Sequence, residues 1–198
     1  MKMATKYKPE LCASKDKSRP VLSEPHLSVE AGRVYATNGH MLCSLPVELD
    51  STDTSGELAR AALVVMRKSA AHPDNQDRTM GAIAAGAQFV EVGTQRHKRQ
   101  SMGIFPDVAV VVPAADRPGS RYVCFNAGYL LKMAKAIGAA SDIVILEVPV
   151  GSLEAMRVWA GESGSDVEAI APGAAMGVLM PCMLGDGLRE RNARAGLG

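Results

Sequence analysis

The dipeptide Asn38-Gly39 is the feature that most constrains how this chain can fold. Asn-Gly is the strongest short signal for an antiparallel hairpin, because both residues accept the positive φ angles of a tight turn. Segments of strand-forming residues flank it, at 33–37 and 41–47. Residues 26–29 alternate apolar and polar side chains, and residues 30–32 form a turn. The sequence therefore predicts a three-stranded antiparallel meander.

One helix is predicted over residues 57–71, with Ser55 as its N-cap and Pro73 just past its end. Its apolar residues are spaced to form a single face. They are Leu58, Ala61, Ala62, Val65 and Met66. Prolines at both ends of residues 20–25 predict an extended path across that segment.

The second half of the chain predicts a smaller unit. Residues 114–120 are rich in Pro and Gly and are the best candidate for a linker. Asn126 is positioned to cap a helix over residues 127–137. Strands are predicted at residues 121–125, 143–148, 155–160 and 176–182. We therefore expect an α+β fold in which a strand, a helix and an antiparallel meander form a half-unit used more than once.

The length of 198 residues allows one large domain or two small ones. We place a first unit at residues 1–113, a linker at 114–120, a second unit at 121–184 and a flexible tail at 185–198.

The charge balance argues against strong global attraction to nucleic acid. The chain holds 22 Lys and Arg against 21 Asp and Glu, a net charge of +1. Any DNA contact would therefore rely on local basic patches. No run approaches the length of a membrane span, and residues 1–20 lack the apolar core of a signal peptide. We expect a cytoplasmic protein with no membrane partner.

Catalytic and metal sites are not indicated. The four cysteines are Cys12, Cys43, Cys124 and Cys182. They include no Cys-x-x-Cys pair, which argues against structural zinc and favours free thiols. His40 and Cys43 are three residues apart on a predicted strand, so they point to opposite faces and are poorly placed for proton transfer. We predict a protein that is not an enzyme and has neither metal nor cofactor.

Two basic stretches leave alternatives open. Residues 96–99 (Arg-His-Lys-Arg) are either a solvated loop or a phosphate contact. Lys132 and Lys135 lie on the predicted face opposite Leu131 and Ala134. They either solvate an amphipathic helix or lie against a DNA backbone.

Several motifs resemble those of the bacterial DNA polymerase III β sliding clamps. Residues 36–42, Ala-Thr-Asn-Gly-His-Met-Leu, resemble the Ala-Thr-Asp-Gly-His-Arg-Leu signature of the clamp's middle domain. Asn38 and Met41 depart from that signature. The approach at residues 14–22 and the exit at 103–113, with its Phe-Pro-Asp and Val-Val-Pro, are similar to segments of the same domain.

The second unit resembles a different part of that family. Residues 125–131 and 177–184, which include Val-Leu-Met-Pro, are similar to the second half of the clamp's final domain. The first half of that domain and the whole first domain have no counterpart here. The chain thus resembles shortened, clamp-like proteins of phages and mobile elements.

The resemblance implies a peptide-binding groove and a set of basic residues that face DNA. The implied groove residues are Thr37, Gly39, His40, Met41, Leu42, Pro106, Val111, Val178, Met180 and Met183. The implied DNA-facing residues are Arg60, Arg67, Lys68, Lys132 and Lys135. Alternation within the last strand predicts that Leu179 is buried while Val178 and Met180 share the other face. The alternative is that all three are core residues.

The function implied by the resemblance is a DNA replication accessory protein that binds short linear motifs of a DNA polymerase or of other replication and repair proteins. One alternative is a homo-oligomeric ring that encircles double-stranded DNA without sequence specificity. Another is a decoy that competes with a host clamp. A third is an enzyme or structural protein that kept only the fold.

Overall fold

The computed structural model describes residues 1–75, 77–99, 103–111, 122–137, 139, 143–148, 155–161, 175–182, 186 and 190. The chain divides into two compact units, Met1–Val108 and Ala109–Gly198. The predicted linker at 114–120, the residue Met183 and nearly all of the predicted tail lie outside the described residues. The predicted domain boundaries stay a prediction.

The first unit contains nine strands and one α-helix among its described residues. In chain order they are β1 (Lys2–Ala4), β2 (His26–Ser28), β3 (Arg33–Thr37), β4 (Leu42–Pro46), β5 (Gly56–Glu57), α1 (Arg60–Ala70), β6 (Met80–Ala82), β7 (Ala84–Ala85), β8 (Phe89–Val92) and β9 (Gln95–Lys98). They form sheets in the orders β4-β3-β2-β5, β7-β8-β9 and β1-β6, and every pairing is antiparallel. The predicted meander is confirmed as β2, β3 and β4.

The core of this unit lies between α1 and the sheets. Leu27 on β2 and Val34 on β3 are cross-strand partners, and neither has any exposed surface. They belong to one buried cluster with Leu63 and Met66 of α1. Gly81 on β6 makes room for Met66, because a Cβ there would lie only 2.5 Å from Met66 Cγ.

Helix α1 begins three residues later than predicted. Residues 56 and 57 pair with His26 and Leu27 as β5, so they are not available to start the helix. Ser55 does not cap it, because its hydroxyl accepts a hydrogen bond from the Val29 amide at 2.9 Å. The Glu24 carboxylate accepts from the Arg60 amide instead, at 2.7 Å.

The buried face of α1 also differs from the prediction. It consists of Ala62, Leu63, Met66 and Ala70. Ala61 is exposed and Val65 is only partly buried.

Two other local predictions were wrong. The segment at 20–25 is not extended throughout, because Pro20–Leu22 forms a 3₁₀ helix with proline at its first position, where a missing amide costs nothing. The basic stretch is not a loop, since its first three residues belong to β9. Arg96 pairs with Glu91 at 2.9 Å and lies over the Phe89 ring at 3.7 Å.

A buried carboxylate ties the loop after β4 to β7. Asp53 accepts hydrogen bonds from the amides of Asp50 (2.7 Å) and Ala85 (3.1 Å). It also pairs with the Met1 amino group at 2.7 Å, and neither side chain has exposed surface. Burial alone would raise the pKa of Asp53, but these hydrogen bonds and the ammonium charge outweigh it and lower that pKa.

The second unit contains α2 (Ala127–Ala136), β10 (Val144–Glu147), β11 (Met156–Ala160) and β12 (Met176–Leu179). The strands form an antiparallel sheet in the order β10-β11-β12. The Asn126 side chain accepts from the Tyr129 amide at 3.2 Å, which confirms the predicted N-cap. The predicted strand at 121–125 is wrong, because residues 122–125 are not part of a β-strand.

Helix α2 packs on this sheet through a face that includes Leu130, Met133 and Ala134. Leu131, predicted to lie on the face opposite Lys132 and Lys135, is itself 53% exposed. The Cβ position of Gly177 lies 2.2 Å from Met133 Sδ, so only glycine admits that side chain. On the opposite side of the sheet, Trp159 of β11 is the cross-strand partner of Met176.

The two units together confirm the predicted α+β class, with antiparallel sheets and two α-helices in the described residues. Among those helices, none has the length and apolar character needed to cross a membrane.

Candidate functional site

The hairpin loop between β3 and β4 is built by two side chains. Pairing of Thr37 with Leu42 leaves four loop residues, Asn38 to Met41. The Asn38 side-chain oxygen accepts from the amides of His40 (2.9 Å) and Met41 (3.0 Å). The Thr37 hydroxyl accepts from the Gly39 amide at 3.0 Å. Asn38 thus supplies the acceptor oxygen that an aspartate would supply at this position.

Some residues of this loop hold its conformation, and others are exposed to solvent. Thr37 is buried, so its hydroxyl holds the loop and offers little contact area. His40 is exposed and Met41 is 47% exposed, while Leu42 is partly buried. The side chains available to a ligand are therefore those of His40 and Met41.

Arg19 is a neighbour of this loop that no sequence motif indicates. A Cβ built on Gly39 would lie 2.6 Å from Arg19 Nη1, so the guanidinium lies against the loop backbone. Arg19 also pairs with Asp16 at 3.9 Å, with both side chains about half exposed. It brings a positive charge to a loop in which Met41 replaces the basic residue of the signature. A lone arginine between Ser18 and Pro20 carries no signal that would have identified it.

Replacing Gly39 by alanine is expected to destabilise the first unit. Gly39 has φ of +91°, which L-residues avoid, whereas the Arg19 guanidinium is the end of a half-exposed side chain that can move away from an added Cβ. Gly93 also has positive φ (+57°) but has open space around it, so Gly93→Ala is the matched control. We expect Gly39→Ala to cost about 1 kcal/mol more than Gly93→Ala in urea unfolding, because the φ of Gly39 lies outside the left-handed helical region and the φ of Gly93 lies within it. Equal costs would contradict the stricter requirement for glycine at position 39.

The exit segment of the first unit presents Pro106 at its surface. The preceding residue, Phe105, stacks on His26 of β2 with ring centroids 4.8 Å apart and planes 13° apart. Burial and the nearby Arg99 lower the pKa of His26, which favours the neutral ring in this stack. The stack fixes the start of the exit segment on β2.

In the second unit, β12 carries an exposed apolar row. Met176 is 47% exposed, Val178 is 48% and Met180, just past the strand, is 65%. Leu179 is 3% exposed and belongs to the core, which confirms the predicted alternation. Val111 is exposed as well, whereas Met183 lies outside the described residues. Large apolar side chains that stay exposed on an ordered strand are typical of a binding surface.

The basic residues expected to face DNA fall into two groups. Arg60 donates to the carbonyls of Ser23 (2.7 Å) and Ser14 (2.6 Å). Arg67 pairs with Glu10 and donates to the Tyr7 carbonyl. These arginines hold the N-terminal segments on α1, so a phosphate would have to compete with their internal partners.

The three lysines of the set, Lys68, Lys132 and Lys135, are exposed. Unlike the two arginines, these lysines could contact a phosphate without breaking a hydrogen bond that the structure describes.

The features of a catalytic or metal site are weak in the described residues. Burial and the adjacent Cys12 thiol raise the pKa of Cys43 to about 11, so it is protonated at neutral pH and not activated as a nucleophile. No group of three or more His, Cys, Asp or Glu side chains suited to a metal ion occurs in the part of the chain that the structure describes.

Comparison with solved structures relates both units to one fold. The DNA polymerase sliding clamp from Pseudomonas aeruginosa, solved with a ligand, matches 93% of this chain and 51% of its own, with a TM-score of 0.62 and 19% identity. The sliding clamp from Bacillus subtilis matches 91% of this chain over 48% of its own length, with a TM-score of 0.56 and 15% identity. The β subunit of DNA polymerase from Streptococcus pyogenes matches 93% of this chain over 50% of its own length, with a TM-score of 0.60 and 15% identity.

No protein-family model and no curated protein sequence matches the chain. The chain spans about half the length of the solved clamps that it resembles. At these identities the likeness concerns the backbone fold. The chain therefore has the fold of the bacterial DNA polymerase sliding clamps, on about half their length.

Proposed function

We propose that this chain is a clamp-like DNA replication accessory protein that binds short linear peptide motifs of replication or repair proteins. The observation that carries the proposal is the exposed apolar row of β12, Met176, Val178 and Met180, on a strand whose alternate residue Leu179 is buried. An extended peptide recognises such a row through its own apolar side chains. Flexible methionines allow the surface to adapt to more than one peptide.

The hairpin loop of the first unit supports the same role. His40 can donate or accept a hydrogen bond, Met41 offers apolar area, and Arg19 adds a positive charge against Gly39. These groups suit a peptide with an apolar residue and an acidic or carbonyl oxygen nearby. Pro106, Val111 and Met183 complete the proposed set.

The test is binding of a fluorescently labelled peptide that carries the clamp-binding motif of a bacterial replicative DNA polymerase. Met180→Asp places a carboxylate where an apolar contact is required, so we expect its Kd to rise at least tenfold, or about 1.4 kcal/mol. Leu131→Asp is the matched control, since Leu131 is 53% exposed on α2 of the same unit. Fluorescence anisotropy gives the Kd of each variant.

Met41→Asp tests the loop, and the double variant tests whether both surfaces serve one peptide. Non-additive losses in the Met41–Met180 cycle would show that the two residues contact the same ligand. A wild-type chain that binds no peptide, or a Met180→Asp chain that binds as well as Leu131→Asp, would overturn the proposal and favour a protein that kept only the fold.

A second candidate, a ring that encircles DNA, rests on the exposed Lys132 and Lys135 of α2. They could contact phosphates without sequence specificity. Retention of the full chain on closed circular DNA but not on linear DNA would favour the ring. A strictly monomeric chain that is not retained would exclude it. Peptide binding without DNA retention would leave two roles open, the proposed accessory protein and the decoy. They differ in whether the chain stimulates or inhibits a host clamp.

A further inference from the structure

The four cysteines fall into two pairs, one in each unit. In the first unit the Cys12 thiol lies close enough to the Cys43 thiol to raise its pKa. In the second unit the Cys182 amide donates to the Cys124 carbonyl at 2.6 Å. All four are free thiols, and Cys124 and Cys182 are exposed. Cysteines separated by 31 and 58 positions in the sequence are thus neighbours in space.

The side chains of Cys124 and Cys182 point to the same side of the second unit. Val123 and Phe125 pack against the core, so the exposed Cys124 between them points outward. On the other segment Leu179 is buried and Met180 is exposed, and the exposed Cys182 continues this alternation. Both thiols therefore lie on the side away from the core.

The backbone hydrogen bond holds the two residues at a suitable separation. Opposed residues joined by such bonds in an antiparallel β-pair have Cα atoms about 5.5 Å apart, and from the hydrogen bond we infer a similar separation for Cys124 and Cys182. Most disulfides span Cα separations of about 4.4–6.8 Å. A bond between these sulfurs therefore requires rotation of two side chains and no large backbone movement.

We propose that Cys124 and Cys182 are a thiol modification site, which a small-molecule disulfide converts to an intramolecular disulfide. One thiol loses its proton, and its thiolate attacks a sulfur of oxidised glutathione. The glutathione S–S bond breaks, a mixed disulfide forms and one glutathione thiolate leaves. The second cysteine thiolate attacks the protein sulfur of the mixed disulfide and releases the other glutathione. Two cysteine thiols are oxidised, and one oxidised glutathione is reduced to two glutathione thiols.

The other cysteine pair provides an internal contrast. Burial, together with the Cys12 thiol, raises the pKa of Cys43 to about 11, which leaves little thiolate at neutral pH. Exchange rates rise with the thiolate fraction and with access to the sulfur. Cys12 and Cys43 are only partly exposed, whereas Cys124 and Cys182 are exposed. The pair in the second unit is therefore expected to react first.

The experiment uses the reduced full chain and oxidised glutathione at neutral pH. Samples taken over time are quenched in acid, unfolded, alkylated with iodoacetamide and digested with trypsin. Cleavage places Cys124 in fragment 122–132 and Cys182 in fragment 158–189. We expect these fragments to be joined, with a mass lower than their sum by two hydrogen atoms. The fragments that hold Cys12 and Cys43 should still be alkylated at that time.

Two variants distinguish a disulfide between Cys124 and Cys182 from unspecific oxidation of single cysteines. In Cys124→Ser, fragment 158–189 should keep a glutathione bound to Cys182, because no second thiol is present to displace it. Cys12→Ser is the matched control and should leave the link between the two fragments unchanged.

The proposal is overturned if fragments 122–132 and 158–189 stay separate, each glutathionylated or alkylated. It is also overturned if mixing isotope-labelled and unlabelled chains gives hybrid links, which would place the bond between two copies. This readout does not depend on peptide binding, so its failure leaves the proposed function untouched.

Discussion

Replacing Asp53 by asparagine is expected to lower the free energy of unfolding of the first unit by about 3–5 kcal/mol at neutral pH, the usual cost of removing one partner from a buried ion pair. The carboxylate satisfies the Met1 amino group and the amides of Asp50 and Ala85 at once. Asparagine replaces one of the two carboxylate oxygens with an NH2 group, which donates and therefore cannot accept from these three donors. The asparagine side chain also carries no charge to pair with the Met1 ammonium. Urea unfolding followed by far-UV circular dichroism measures the difference.

Asp50→Asn is the matched control in the same loop. The Asp50 side chain is solvent-accessible and accepts from the Thr52 amide and hydroxyl. Its substitution should stay within about 0.5 kcal/mol of wild type, as exposed changes usually do. Equal losses in both variants would contradict the central role of Asp53.

Acid should remove the contribution of Asp53 in a defined direction. The pKa of Asp53 is lower in the folded chain than its ordinary value of 3.8. Its stabilisation is therefore fully present above that value and is lost as the pH falls through the folded pKa. The gap in unfolding free energy between wild type and Asp53→Asn should narrow below pH ~4. A gap that stays constant down to pH ~2 would contradict this account.

Leu27→Ala is expected to cost about 2–5 kcal/mol, because it leaves a cavity in the core of the first unit. Leu27 has no exposed surface and lies on β2, between β3 and β5. Since β3 carries the loop with His40 and Met41, the same change should weaken the support of the proposed peptide surface. The free energy of unfolding from urea titration gives the size of the effect.

Leu11→Ala provides the control, because Leu11 is 69% exposed in the same unit. Its cost should lie within about 0.5 kcal/mol of zero. If the two leucine variants unfold at the same urea concentration, Leu27 is not a core residue as the structure places it.

Local signals with a direct physical cause were predictable from the sequence. The hairpin at Asn38-Gly39 and the cap at Asn126 each follow from one residue and its nearest neighbours along the chain. The burial of Leu179 followed from simple alternation. The start of α1 was not predictable, because β5 takes up residues 56 and 57 by pairing with a strand about 30 residues earlier.

The candidate site was only partly predictable for the same reason. The buried position of Thr37 and the internal partners of Arg60 depend on segments distant in sequence. The contact between Arg19 and Gly39 joins residues 20 positions apart and leaves no periodic pattern. The pairing of Cys124 with Cys182 likewise requires the fold.

The position of the single tryptophan gives this protein a natural optical probe. Trp159 is the cross-strand partner of Met176, so its ring lies on the face that also carries Val178. A ligand that covers this row would change the polarity around the indole and shift its emission. Titration of the unlabelled chain with an unlabelled peptide could therefore report occupancy directly, without a dye on either molecule.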